Sequence, residues 1–109
     1  MNMCVIDSQG MFVMSTFEEH CRDAIDVFGD PFPHVHQWLD EFAGKPGILS
    51  RHRKYRHHLA GIEECRNLFG NRAADVARQH IIADLKLEGW SENDEFPKDE
   101  SDYKRLGLW

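Results

Sequence analysis

The chain has 109 residues, of which 41% are hydrophobic and 29% charged, with a formal net charge of −6; this length fits one domain. No apolar stretch approaches the length of a membrane span and no secretory signal pattern is present, so we expect a cytoplasmic protein without a membrane segment. The three cysteines include no CxxC pair, which argues against a zinc ribbon and against a disulfide framework.

The predicted elements begin after an N-terminal stretch that lacks a helical period. Residues 1–13 contain scattered methionines, and Met14 is followed by STFEEH, which is typical of a helix start. We therefore predict an N-terminal extension over residues 1–13 and one helical domain over residues 14–109, and we expect a chain that begins at Met14 to fold.

Four main helices are predicted from capping signals and from apolar residues that recur with the helical period. Thr16 and Glu19 form a capping box for the first helix, and Gly29 is its stop signal. The prolines of DPFP open the second helix, and Gly70 separates the third from the fourth. The predicted helices span about residues 16–28, 30–43, 48–69 and 71–87.

The C-terminal residues form an acidic tail, with seven acidic residues and one lysine from Glu88 to Asp102. A short turn of helix is predicted at residues 100–106, and Tyr103 and Trp109 are expected to dock on the domain. The predicted fold is therefore all-α: a small four-helix bundle-like domain with a short N-terminal extension and an acidic C-terminal tail.

The fourth predicted helix places two polar side chains inside its apolar stripe. His80 and Asp84 lie one turn apart, in line with Ala73, Val76 and Ala77. Burying a carboxylate is costly unless it is paired or bound to a metal. Asp84 therefore requires a partner, and His80 is the nearest candidate on the same helix.

The other helices also carry histidines on or beside their inner faces. His36 and Asp40 repeat the HxxxD spacing on the second helix, and His20 flanks the apolar face of the first. On the third helix, His58 falls within the apolar face. The predicted inner faces therefore bring histidines from four helices toward one core.

The histidine that precedes His58 has a different predicted direction. His57 is aligned with Gly61 and Glu64 along the third helix. Glycine in a helix interior costs about 1 kcal/mol relative to alanine. We therefore expect another backbone or a ligand to approach Gly61 closely, beside His57.

Imidazoles and carboxylates from facing helices form the metal sites of helical bundles. The pattern therefore predicts a cluster that binds a divalent metal, and zinc, manganese, iron and nickel all suit these ligand types. The alternative is a buried His–Asp hydrogen-bond network that sets the helix register without a metal. The candidate metal ligands are His20, His36, Asp40, His58, His80 and Asp84.

Three motifs make the chain resemble a known family. They are HQWLD from His36, HRKYRHHLAGI from His52 and HIIAD from His80. A family of small, mostly bacterial and phage-associated helical proteins of unknown function has the corresponding patterns HxWxD, HRxxRHHxxGI and HIxxD, preceded by a histidine that matches His20. The resemblance covers about residues 16–105 and implies the importance of these positions without implying an activity.

Two classes of function follow from these features. A bound metal that lowers the pKa of a water molecule would make the protein a metal-dependent hydrolase, with Glu64 or His57 as the proton acceptor. Alternatively, the protein is a non-catalytic interaction or nucleic-acid-binding module, for which a homodimer is also considered. The net charge of −6 argues against nucleic acid. The candidate phosphate-binding residues are Arg51, Arg53, Lys54 and Arg56.

Overall fold

The computed structural model describes residues 16–43, 45 and 49–108. Within these ranges the chain forms helices, turns and loops and no strand, which confirms the all-α prediction. No helix in this part of the chain is long and apolar enough to cross a membrane. The predicted extension at residues 1–13, a start at Met14 and the docking of Trp109 lie outside the described residues. The helices are α1 (Phe17–Phe28), α2 (Pro33–Leu39), α3 (Arg53–Arg56), α4 (Leu59–Phe69), α5 (Asn71–Leu87) and α6 (Glu100–Arg105), with a 3-10 turn at Leu49–His52.

Helix α1 forms where its capping signals predict. The hydroxyl of Thr16 accepts the N–H of Glu19 at 3.0 Å, and the Glu19 carboxylate accepts the N–H of Thr16 at 2.9 Å. This reciprocal pair satisfies two N–H groups that have no partner inside the helix. Gly29 ends the helix with φ of 80°, a conformation that glycine adopts without a side-chain clash.

Helix α2 is shorter than predicted. It begins at Pro33, where a missing N–H removes no helical hydrogen bond, and it ends at Leu39 rather than near Ala43. Asp40 is the C-cap residue, and its N–H bonds the carbonyl of His36 at 3.1 Å. The HxxxD pair therefore spans the end of the helix, and Asp40 lies where the chain turns away.

The prediction of one continuous third helix is wrong. Helix α3 ends at Arg56 and α4 begins at Leu59. Between them, His57 has φ of −88° and ψ of 62°, and His58 is extended with φ of −160°. The predicted start near Ile48 lies outside the described residues. The break is held by contacts with the C-terminal tail, and it requires Gly61, because a Cβ at that position would meet the carbonyl oxygen of Arg56.

The tail makes these contacts as an ordered segment ending in α6. The carbonyls of Pro97 and Lys98 accept the N–H groups of Leu59 and Ala60 at 3.1 and 2.9 Å. These are N–H groups of the first turn of α4, which have no partner within their own helix. Tyr103 on α6 is only 2% exposed, so the predicted docking of this side chain is confirmed.

Helix α5 is the central element of the core. Its largest contact is with α4, which precedes it across Gly70, and α1 and α2 also pack against it. Ala73 and Ala77 are buried, and the Cys65 thiol on α4 donates to the carbonyl of Ala73 at 3.6 Å. Small side chains on α5 therefore allow the two helices to approach closely.

Candidate metal centre

Four side chains from three parts of the fold converge beside α5. Asp40, His57, His80 and Asp84 each offer one atom, and these atoms all lie within 4.8 Å of one another. The side chains of His57 and His80 are 0% exposed and that of Asp84 is 4% exposed. The Asp40 side chain is 31% exposed. The four residues, called the inner residues below, are therefore buried except on the side of Asp40.

Helix α5 supplies two inner residues through regular helical geometry. His80 and Asp84 are one turn apart, and Nε2 of His80 lies 3.3 Å from Oδ2 of Asp84. Val76 and Ala77, on the same buried face, are 0% exposed. Because the helix is continuous from Asn71 to Leu87, the side-chain directions follow directly from the 3.6-residue period.

The break between α3 and α4 turns His57 into the same cluster. Nε2 of His57 lies 3.1 Å from Oδ2 of Asp84. Two bonds hold the backbone at this point: the His57 N–H donates to the carbonyl of Arg53 at 2.8 Å, and the Tyr103 hydroxyl donates to the carbonyl of His57 at 2.6 Å. His57 is therefore positioned partly by the C-terminal helix.

The structure places His58 outside this cluster, at the start of α4. Its Nδ1 accepts the N–H of Gly61 at 2.9 Å, and its Nε2 donates to the carbonyl of Lys54 at 3.0 Å. Both ring nitrogens are thus engaged by the backbone. A Cβ at Gly61 would lie 1.9 Å from the carbonyl oxygen of Arg56. The close approach expected at Gly61 is therefore made by the preceding turn of the same segment.

Four of the distances among the inner residues are of the length found between two ligands of one metal ion. Nε2 of His57 lies 3.1 and 3.5 Å from Oδ2 of Asp84 and Oδ1 of Asp40. Nε2 of His80 lies 3.3 and 3.5 Å from the same two oxygens. Zinc–ligand distances of about 2.0–2.1 Å correspond to tetrahedral edges of about 3.3–3.4 Å. The four distances therefore fall around the edge length of a zinc site.

Hydrogen bonds behind His80 determine which of its nitrogens carries a proton. The carbonyl of Pro31 can only accept, so Nε2 of His36 donates to it at 3.0 Å, and the Nδ1 of a neutral His36 is an acceptor. Nδ1 of His80 lies 2.9 Å from Nδ1 of His36, and it therefore donates its proton to that nitrogen. Nε2 of a neutral His80 keeps a lone pair, is buried and has no hydrogen-bond partner. It faces two carboxylates, an arrangement that a metal ion or an additional proton on Nε2 would stabilise.

Three further histidines, called the outer histidines below, each contact one of the inner residues through a ring nitrogen. Partners of this kind orient metal ligands and fix the tautomers of ligand histidines. The ring of His20 also stacks on that of His80, with centroids 3.6 Å apart. The pairs are His20 with Asp84 at 3.2 Å, His52 with Asp40 at 3.0 Å and His36 with His80 at 2.9 Å.

The charges of the inner residues depend on one another. Burial by itself would lower the pKa of His80, but Asp40 and Asp84 raise it to about 9. Burial opposes ionisation of both aspartates, yet His80 is the main group that holds the pKa of each well below its usual range. Burial lowers the pKa of His57 to about 4, although the hydrogen bond that His57 donates to Asp84 acts in the opposite direction. Two carboxylates therefore face one imidazolium at neutral pH, and the balance among the inner residues is negative.

Two residues join the cluster without having been predicted to do so. His52 reaches Asp40 through the turn that precedes α3, and no sequence period indicates that contact. Arg53 is 8% exposed; its Nε lies 3.6 Å from Oδ2 of Asp84, and it donates to Glu88 at 2.9 Å. Asp84 on α5 and Glu88, the C-cap residue of α5, are four residues apart, and two acids at this spacing repel each other unless a cation lies between them. That signal could have assigned Arg53 to this cluster rather than to a phosphate-binding surface.

The other predicted functional residues lie away from the inner residues. Glu64 is exposed on α4. Arg56 donates to a carbonyl of α2 and pairs with Glu41. Arg51 is exposed and Lys54 is half-buried. Two arginines of the basic segment at residues 51–56 therefore pair with acidic side chains of the same chain. The segment does not form one continuous phosphate-binding face.

Fold and site together define a small all-α protein with a buried His–Asp centre. The chain belongs to the DUF6915 family: the model of this domain of unknown function matches residues 14–93. The matched range contains all inner residues and all outer histidines, and it ends before α6. Neither the curated proteins nor the solved structures that were compared contain a significant match. The chemistry must therefore be argued from the site.

Proposed function

We propose that this protein binds a divalent metal ion, with a preference for zinc, at Asp40, His57, His80 and Asp84. The observation that carries the proposal is Nε2 of His80, which is buried, lacks a hydrogen-bond partner and faces carboxylate oxygens at 3.3 and 3.5 Å. A proton on this nitrogen would make only long hydrogen bonds at these distances. A metal among the four inner residues would instead use this lone pair, and the measured His–Asp distances match those between zinc ligands.

The metal would connect three segments that are separate in the sequence. Asp40 follows α2, His57 lies in the break between α3 and α4, and the other two inner residues belong to α5. These ligands meet only in the folded chain, so the free energy of metal binding adds to the free energy of folding. Four protein ligands are the arrangement of a structural zinc site. We therefore assign the metal a structural role first.

Metal-dependent hydrolysis is a second candidate, and the exposure of Asp40 favours it. A catalytic zinc keeps one position for water, whose pKa the metal lowers. Asp40 is 31% exposed, so exchange of its carboxylate for water would open the centre on that side. His52, which donates to Asp40 at 3.0 Å, lies beside that opening, whereas Glu64 lies elsewhere on the surface.

Elemental analysis of the purified full chain, followed by thermal unfolding with and without chelator, tests the metal proposal. We expect bound zinc, a lower Tm after chelation and recovery on adding zinc, because the ligand binds only the folded state. His80→Ala should remove the metal and lower Tm. His34→Ala is the matched control, since His34 is exposed on α2 and lies outside the cluster. Replacement by cobalt should produce the strong visible absorption of a four-coordinate site.

The metal-free hydrogen-bond network predicts a different response to the chelator. The chelator would change nothing, and His80→Ala would destabilise the fold by about 1–3 kcal/mol through carboxylates left without a partner. A metal-free protein whose Tm ignores zinc, manganese, iron and nickel would contradict our proposal. For the second candidate, the zinc-loaded protein is tested on an activated ester and an activated phosphodiester. Turnover no faster than that of free zinc would rule out the hydrolase function and would not affect the proposal of a structural zinc site.

A further inference from the structure

A cavity of about 790 Å³ lies between the segment that leads into α3 and the C-terminal helix α6. Its volume is within the range of pockets that hold small organic ligands, about 300–1,000 Å³. Its walls include Arg51, Lys54, Glu100, Tyr103, Lys104 and Leu108. None of these is an inner residue or an outer histidine, so the cavity is separate from the candidate metal centre.

The cavity concentrates positive charge in a chain whose net charge is −6. Among the described residues, Arg51, Lys54 and Lys104 line it, against one acid, Glu100. Most of the other cations described in the structure are paired with acidic side chains. Within the described ranges, Lys54 and Lys104 form no ion pair. Two lysines therefore remain available to an anion from solution.

Apolar surface stands next to these cations. The half-buried Leu108 contributes it from the residues that follow α6. A ligand that fills the cavity must therefore combine an anionic group with a less polar body. A phosphate monoester suits this charge best, because it carries up to two negative charges and several acceptor oxygens for lysine and arginine.

We propose that this cavity binds the phosphate group of a small molecule, and that an organic phosphate of the size of a nucleoside monophosphate fills it best. A nucleic acid backbone fits less well, because Arg53 and Arg56 are turned into internal ion pairs and leave too few cations for a continuous track. The α6 wall lies beyond residue 93, where the family match ends. The site is therefore built partly outside the matched domain.

The site goes beyond the proposed metal function and is tested separately from it. Calorimetric titration of the metal-loaded full chain uses AMP, inorganic phosphate and adenosine as probes. We expect saturable binding of AMP and no binding of adenosine. AMP binding more tightly than phosphate identifies an organic phosphate, whereas equal affinities identify free phosphate; both results support a phosphate site.

Substitutions of the lining residues test whether AMP binds in this cavity. The double substitution Lys54→Gln with Lys104→Gln should weaken AMP binding by about tenfold or more, the loss expected for charge-assisted hydrogen bonds. Lys98→Gln is the matched control, an exposed lysine of the same tail that does not line the cavity. Glu100→Gln should strengthen binding, because it removes the one acid of the wall. This second variant tests the site even if the double variant unfolds.

Three results would overturn the proposal. The first is the absence of AMP and phosphate binding at millimolar concentrations. The second is unchanged affinity in a double variant that melts like the parent chain, or in Glu100→Gln. The third is a single-stranded oligonucleotide that binds more tightly than AMP with a steeper salt dependence, which would assign the surface to nucleic acid.

Discussion

Two stretches of the chain contribute histidines to one cluster by different means. Helix α5 directs His80 and Asp84 inward because it is continuous and they are one turn apart. The segment from residue 49 to 69 contributes His57 because its helix is interrupted, and the interruption sends His58 into a capping role. Helical period therefore predicts side-chain direction on α5. Across the break it fails, because it predicts that His58 faces the core, whereas His57 does so in the structure.

The two stretches also differ in what holds them. The backbone of α5 is held by its own helical hydrogen bonds. The break is held by the tail, through the carbonyls of Pro97 and Lys98 and the hydroxyl of Tyr103. Substitutions on α5 should therefore act on the cluster directly, and substitutions near the break should act through the backbone of His57.

The largest effect is expected on α5. Asp84→Ala removes the carboxylate that faces His20, His57 and His80, so buried polar groups lose their partner. We expect the free energy of unfolding to fall by about 3–5 kcal/mol, measured by urea denaturation. Asp75→Ala, at an exposed position of the same helix, should change it by less than about 0.5 kcal/mol. Equal effects of the two substitutions would show that α5 does not support the cluster.

The next largest effect is expected at the break. Gly61→Ala places a Cβ 1.9 Å from the carbonyl oxygen of Arg56, so the backbone between α3 and α4 must shift. We expect a loss of about 3 kcal/mol in the same measurement. In an unbroken helix the substitution would instead stabilise by about 1 kcal/mol, so the sign of the change distinguishes a break from a continuous helix.

The tail should contribute a smaller amount. Tyr103→Phe removes the hydroxyl that donates to the buried carbonyl of His57 and leaves that carbonyl without this bond. We expect a loss of about 1–2 kcal/mol and weaker zinc binding, measured by competition with a chelator. Tyr55→Phe is the control for removal of a hydroxyl. Unchanged zinc affinity in Tyr103→Phe would show that this contact from α6 does not affect the metal centre.

The smallest effect is expected for the capping histidine. His58→Ala removes the acceptor for the N–H of Gly61, a loss of about 1 kcal/mol, and His58→Asn should recover most of it because asparagine is a good N-cap residue. Metal content should stay unchanged in both variants, whereas His57→Ala should lose the metal. Loss of metal in His58→Asn would show that the two histidines do not have the roles described here.

Much of the fold could be predicted because its signals are local. Thr16, Glu19 and Gly29 delimit α1 through contacts within a few residues, and the period of α5 indicates that His80 and Asp84 face the core. Asp40 was also indicated by its HxxxD spacing, although α2 ends just before it. Asp40, His80 and Asp84 could therefore be predicted to form one polar cluster from helix faces alone.

The sequence by itself determined an all-α chain, the central helix α5 and the inward direction of His80 and Asp84, because hydrogen bonds within a helix set side-chain direction locally. Only the tertiary structure decided that His57 enters the cluster, that His58 caps α4, and that His52 and Arg53 approach the aspartates. The physical reason is that Leu59 and Ala60 give their N–H groups to carbonyls of the distant tail. Gly61 is a local signal of the close approach at the break, but nothing in this segment identifies the tail as its partner.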